Sequence, residues 1–203
     1  VRRLPFLYPL QQLCRTRNPM AQKLMEAYER MLAAFGPQHW WPGDSPFEIM
    51  VGAVLVQNTA WRNVERAMDN LREAGVMEPT ALYGLPAAEL AELIRPAGYY
   101  QVKARGLRNL LRLVVEECDG PLDTMSGRGL ASLREDLLAI RGIGPETADA
   151  ILLYAGGLPT FVVDTYTHRI LVRHGWLDYD ATYHEIKDYF ESALPSDAAL
   201  YNE

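Results

Sequence analysis

Apolar residues recur at helical spacing along most of the chain, and glycine or proline interrupts the pattern at short intervals. Leu24, Tyr28, Met31, Leu32 and Phe35 follow one helical face. So do Val64, Met68 and Leu71; Leu107, Leu110, Leu111, Val114 and Val115; and Leu130, Leu133, Leu137 and Leu138. Segments 148–154, 165–174 and 183–193 read the same way. Breakers at Gly36-Pro37, Pro42-Gly43, Gly75, Pro79, Pro86, Gly120-Pro121, Gly175 and Pro195, and the clusters at 96–98, 142–144 and 156–159, separate them. The pattern predicts roughly ten short helices joined by turns of a few residues. The β-branched clusters, Val51–Val56 and Phe161–Val163, each sit inside or beside a helical pattern. The expected fold class is all-α.

The chain has 203 residues, 49% apolar and 23% charged, enough for one large domain or two small ones. Such a composition excludes a disordered chain, a collagen-like repeat and a coiled coil. The longest apolar stretch, 49–56, is too short to span a bilayer, so no membrane partner is expected. Prolines and glutamines at 5, 9, 11 and 12 break any signal-peptide core. Cys14 and Cys118 cannot by themselves form a disulfide framework, a four-cysteine zinc site or an iron–sulfur cluster. They read as buried thiols in a reducing compartment, hence a cytoplasmic protein. Met20 suits a translation start, with 1–19 an extension, and 198–201 reads as a helix cut short at an incomplete C-terminal end.

Net charge is −6, yet two segments are purely basic. Residues 1–20 carry Arg2, Arg3, Arg15 and Arg17; residues 95–112 carry Arg95, Lys103, Arg105, Arg108 and Arg112. Such stripes can hold a phosphate backbone on an acidic protein, or form a solvated helix face. Helix starts are signalled at Asp44-Ser45-Pro46 and less strongly at Thr80 and Ser126.

The stretch 138–151 reads Leu-Ala-Ile-Arg-Gly-Ile-Gly-Pro-Glu-Thr-Ala-Asp-Ala-Ile. One helix ends in a Gly-x-Gly turn and another starts at once. Glycines there permit positive φ and close backbone approach, and free N–H groups suit a phosphate oxygen. A plain helical hairpin is the other reading. After a Gly-Gly-Leu-Pro turn, Phe161-Val162-Val163-Asp164-Thr165 places Asp164 near a helix N-terminus, where a carboxylate is held ionised or simply caps the helix.

Together these residues resemble the helix–hairpin–helix DNA glycosylase superfamily that includes endonuclease III. Its signature, L-x-x-x-G-I/V-G-x-x-T-A followed by V-D-T, is matched in order. Gly98-Tyr99-Tyr100 with Lys103-Ala104 matches the segment G-x-Y-x-x-K-A, and Val54–Thr59 matches the segment bearing the intercalating glutamine. The resemblance runs from about Pro46 to Ala199. It departs in two places. Glu146 stands where bifunctional members carry a Schiff-base lysine, and a carboxylate forms no imine, so lyase chemistry is not expected. The cluster-binding cysteines are also missing, either because the protein lacks the cluster or because its end is absent, so no iron–sulfur cluster is expected in this chain.

Trp40-Trp41-Pro42, Gln57–Trp61, Ile94–Tyr100 and the hairpin with Glu146 are similar to the 3-methyladenine DNA glycosylase III branch. That branch implies a monofunctional glycosylase acting in base excision repair on alkylated purines flipped out of double-stranded DNA. Its modified lysine in a last helix lies past the point this chain reaches. The resemblance implies Asp164 as the catalytic carboxylate, which stabilises the sugar cation and orients or deprotonates the attacking water. The base pocket would comprise Trp40, Trp41, Pro42, Trp61 and Glu146, with the Trp40 and Trp61 rings as the sandwich and Pro42 at the wall. Gln57, Tyr99, Lys103, Gly142, Ile143, Gly144 and Thr147 would meet the DNA. No cofactor is required; family members often hold Na+ or K+ at hairpin carbonyls, here those of Ile140 and Gly142. The fold implied has one helical lobe over 47–155, with the hairpin at about 134–154, and a second from 1–46 plus 156–203. A monomer is expected, nucleoid-associated in a prokaryote or nuclear in a eukaryote. Rival readings are a glycosylase for oxidised pyrimidines or mismatched bases, whose pocket needs more polar groups, and a non-catalytic DNA-structure-binding protein, against which Asp164 argues.

Overall fold

The computed structural model describes residues 18–38, 40–117 and 129–203. Cys14, Cys118, Arg2, Arg3, Arg15, Arg17 and Ser126 lie outside the described residues. Among the described residues there are eleven α-helices and no strand. In chain order they are α1 Pro19–Phe35, α2 Pro46–Leu55, α3 Trp61–Glu73, α4 Pro79–Gly84, α5 Ala87–Leu93, α6 Tyr100–Arg112, α7 Leu130–Ala139, α8 Pro145–Ala150, α9 Thr165–Arg173, α10 Tyr183–Glu191 and α11 Ala198–Asn202. A single tight turn, Arg95–Ala97, precedes α6. Both α6 and α8 continue into a wider turn with i→i+5 bonding, Leu113–Glu117 and Ile151–Ala155. Among the described residues no helix is long and apolar enough to cross a membrane.

The start of α2 follows the sequence signal. Ser45 Oγ accepts the Glu48 N–H at 3.2 Å, and Pro46 occupies the first turn, where no N–H is needed. Glu48 is itself nearly buried. Both its oxygens accept from Arg72, at 3.2 and 2.8 Å, and one accepts the Asp44 N–H at 3.2 Å. The Arg72 fork, foremost, holds its pKa below the usual carboxylate range against the opposing effect of burial. Beyond Glu48, every residue from Met50 to Leu55 is buried. A helix covered on all sides carries no polar face, so the run at Val51–Val56 resembles a strand in composition yet forms the central helix. It packs against α3, α6, α8 and the wide turn after α8. Each fully buried Val or Leu there contributes about 1.5–3 kcal/mol.

Other expectations need correction. Thr80 is not a cap: α4 starts at Pro79, after Glu78. The apolar face of α1 is buried only at Ala21 and Leu24, while Met31 and Phe35 are 53% and 73% exposed. The basic stripe of 95–112 is not a continuous phosphate surface. Arg95 forks onto Glu92, Arg108 donates to the carbonyls of Tyr83 and Leu85, and Lys103 is buried. Phe161–Val163 lies outside any helix and pairs in no sheet among the described residues.

Two smaller apolar clusters adjoin the main core. Leu153, Leu200 and Tyr201 gather Met25 and Tyr28 of α1 and Phe161, setting α1 beside α11. Val163, Leu171 and Ile186 join the segment before α9 to α9 and α10.

Candidate active site

A cleft of about 1780 Å³ opens beside α8, lined by residues of α1, the α2–α3 loop, the hairpin between α7 and α8, and α9. Asp164 lies on it as the cap of α9. Its Oδ1 accepts from the Thr167 N–H at 2.7 Å and the Thr167 hydroxyl at 2.8 Å, and its own N–H donates to Thr167 Oγ1 at 3.4 Å. This reciprocal cap fixes the carboxylate and leaves Oδ2 free of protein hydrogen bonds among the described residues.

Glu146, in the first turn of α8, lines the same cleft. Loss of hydration raises its pKa first, and the negative charge of Asp164 raises it further. Tyr154 follows on the wide turn. Burial, then Asp164, pushes its phenol up to about 12, against the opposing hydrogen bond from the Trp40 side chain. Tyr154 is an ordinary helical apolar position in the sequence pattern, and nothing there separates it from the core.

The aromatic wall centres on Trp41. Its ring lies 5.5 Å from Trp61, edge to face, 5.2 Å from Tyr154, and 6.1 Å from Trp40. Gly52 of α2 makes room for it: a Cβ there would stand 3.4 Å from Trp41 Nε1. Trp40 is 51% exposed, and the Trp61 indole N–H donates to Glu65 Oε1 at 3.1 Å. Trp40 and Trp61 thus share Trp41 as a neighbour, and all three line the cleft. Pro42 is exposed and lies off the cleft wall, contrary to the expectation that it closes the pocket.

In the hairpin the two glycines differ. Gly142 has φ +106°, and a Cβ on it would stand 3.1 Å from the Gly106 Cα of α6. Gly144 caps α8 at φ −96° with nothing close to its Cβ position, so only Gly142 requires glycine. Neighbours pin the turn. The Gln57 side-chain amide donates to Gly142 O at 3.1 Å and Thr147 Oγ1 at 2.9 Å, and Asn109 Nδ2 donates to Arg141 O at 3.0 Å. Ile140 O accepts the Ile143 N–H at 3.0 Å. The carbonyls of Ile140 and Gly142 therefore each keep one lone pair, and such hard oxygen donors suit an alkali cation. Ile143 and Thr147 are buried, so neither side chain reaches a phosphate, and the Ile143 N–H is spent on Ile140 O.

Tyr99 is 73% exposed and holds φ +45°, a left-handed conformation that costs a non-glycine residue about 1–2 kcal/mol. Lys103 corrects its expected role. It is 4% exposed and donates to the backbone carbonyls of Leu55 and Ala97 at 2.9 and 2.7 Å, where no DNA phosphate reaches it. Burial pushes its pKa down from the ordinary lysine value.

Behind the cleft, fully buried Asp149 ties α8 to its surroundings. Arg134 of α7 forks onto both oxygens at 2.8 and 3.1 Å. Tyr183 and Thr160 donate to it at 2.7 and 2.9 Å, and Lys187 Nζ is 3.4 Å away. Burial opposes ionisation, but these donors, Arg134 first, hold its pKa below the usual range. Lys187 also bonds Thr160 Oγ1 and Phe161 O, so the segment leading to Asp164 is moored to the hairpin helix. The sequence reading missed this network, because one aspartate inside an apolar helix gives no sign of its partners. Among the described residues, no three His, Cys, Asp or Glu side chains come together as a metal site.

An acid at a helix start, a pinned Gly-x-Gly hairpin and an aromatic cleft between them define a helical base-excision architecture. The HhH-GPD superfamily of base excision DNA repair proteins matches residues 51–196, and the chain belongs to it. A Methanocaldococcus jannaschii protein described as a DNA repair glycosylase is 42% identical over 184 residues, covering 90% of this chain and 83% of that one. Endonuclease III of Thermotoga maritima is 33% identical over 152 residues, 75% of this chain and 67% of that one. Among solved structures, the 3-methyladenine DNA glycosylase of H. pylori bound to 1,N6-ethenoadenine superposes with a TM-score of 0.77 at 28% identity, covering 90% of this chain and 92% of that one. An endonuclease III–DNA complex shares the fold, with a TM-score of 0.75 at 24% identity over 90% of this chain and 83% of that one.

Proposed function

We propose that the chain is a monofunctional DNA glycosylase that flips cationic alkylated purines, of the 3-methyladenine type, out of double-stranded DNA and excises them. The observation that carries this is the pairing of Asp164 with Glu146 in one aromatic cleft, with a carboxylate where an imine-forming amine would stand. Two acids there suit a cationic guest. An N3-alkylated adenine carries a positive charge, and indole and phenol faces attract it by about 0.5–2 kcal/mol each. Its charge also relieves the repulsion that Glu146 feels from Asp164. The similarity to the H. pylori enzyme supports the same class.

The chemistry follows from the leaving group. The N-glycosidic bond breaks with its electron pair going to the base, which departs neutral and needs no protonation. The sugar becomes oxocarbenium-like, and the open Oδ2 of Asp164 stabilises that cation. Water adds to the sugar carbon and gives its proton to Asp164 or solvent. Gln57 and Tyr99 fill the gap left by the extruded nucleotide. The N–H groups of Gly142 and Gly144 hold a backbone phosphate, and an alkali cation bound by Ile140 and Gly142 would supply positive charge to it. We read the protein as a monomer acting on nucleoid or nuclear DNA, with no other cofactor.

Asp164→Asn tests the catalytic assignment. The amide oxygen keeps the cap but loses the charge. Base release from methylated duplex should fall by about 10²–10³ or more, with duplex affinity within a few-fold of the parent. Unchanged release, or loss of binding together with release, removes Asp164 from the role.

A further inference from the structure

We infer that Lys103 is a positioning residue that locks two separate DNA-facing loops, 56–59 and 98–99, into one unit. What the loops do in DNA rests on the glycosylase reading; the lock is independent of it. Leu55 closes α2 two residues before Gln57, and Ala97 closes its short turn two residues before Tyr99. Lys103 Nζ donates to both of those carbonyls, at 2.9 and 2.7 Å, from a site 4% exposed. Its backbone N–H also donates to Tyr99 O at 3.0 Å. Carbonyls at the ends of helical segments lack intrahelical partners, and a buried one needs a donor from elsewhere. One amine serves two such ends that are more than forty positions apart in the chain, Leu55 and Ala97.

The same loops hold the non-glycine residues with positive φ, Asn58 at +52° and Tyr99 at +45°; among the described residues no others do. Such conformations persist where surrounding structure over-determines them. Lys103 supplies that constraint to both at once. Gln57 is held on its far side by the hairpin, through Gly142 O and Thr147 Oγ1. The lock therefore sets Tyr99 against a Gln57 whose place relative to the hairpin is already fixed.

Lys103→Met keeps the apolar stem and removes the donors. Amide hydrogen exchange on the free protein reads the lock without DNA. Both loops should exchange at least tenfold faster in the variant, with α3 unchanged; faster exchange in one loop alone, or in neither, overturns the proposal. A second measurement needs no Lys103 variant to fold. The ratio of affinities for methylated and undamaged duplex is measured for Gln57→Ala, Tyr99→Ala and the double variant. Locked loops predict that the double variant loses less than the product of the two single losses; multiplicative losses overturn the lock. Paired exchange in a chain that releases no base keeps the lock and sinks the glycosylase reading. Base release with multiplicative losses does the reverse.

Discussion

Glu146 shows how one buried side chain makes stability depend on pH. Its pKa in the folded protein stands above the ordinary carboxylate value, because of burial first and Asp164 second. As pH rises through the ordinary range, the unfolded chain gives up this proton before the folded one does. The folded state therefore loses stability over that interval, and the loss is complete above the raised pKa. Glu146→Gln should melt higher than the parent at mildly alkaline pH, with the difference vanishing in acid; thermal unfolding across pH checks it. An equal or lower melting temperature at alkaline pH would contradict the assigned burial. At this scale the sequence was legible where a residue acts on its own neighbours. Ser45 and Asp164 cap helices through atoms three residues away, so their roles follow from local order. Lys103 was not legible. A stripe of cations counts charges without showing which point inward, and its partners are Leu55, far back in the chain, and Ala97.

Among the elements, the hairpin separates two glycines that look equivalent in the sequence. Gly142→Ala should cost about 1–3 kcal/mol, from positive φ and the close approach to Gly106. Gly144→Ala should stay within about 0.5 kcal/mol, since its backbone is extended and its surroundings open. Urea unfolding of the two variants distinguishes them, and equal losses would mean the hairpin does not rest on α6 as described. The moorings of α8 make a larger claim. Asp149→Ala leaves the Arg134 guanidinium and Lys187 facing an empty acid site, and should cost about 3–5 kcal/mol in the same measurement. The helices themselves were readable because their apolar periods and breakers are local. The run in α2 was ambiguous for a physical reason: a helix buried all round shows no period, and only its neighbours reveal that it is central.

Across the whole molecule, the cleft draws on α1 near the start of the described chain and α11 at its end, with Asp164 and Glu146 facing it from α9 and α8. The hairpin and the acid were readable as a pair because they lie close in sequence. The aromatic wall was readable only in its membership, since the order Trp40, Trp41, Trp61 does not say which ring is central. The central claim is that this cleft excises cationic purines by hydrolysis without cutting the strand. Chromatography of the bases released from methylated duplex DNA, with strand breakage followed before and after alkali, tests it most directly. We expect 3-methyladenine to appear and strands to break only after alkali. Release of oxidised pyrimidines instead, or strand cleavage without alkali, would contradict it.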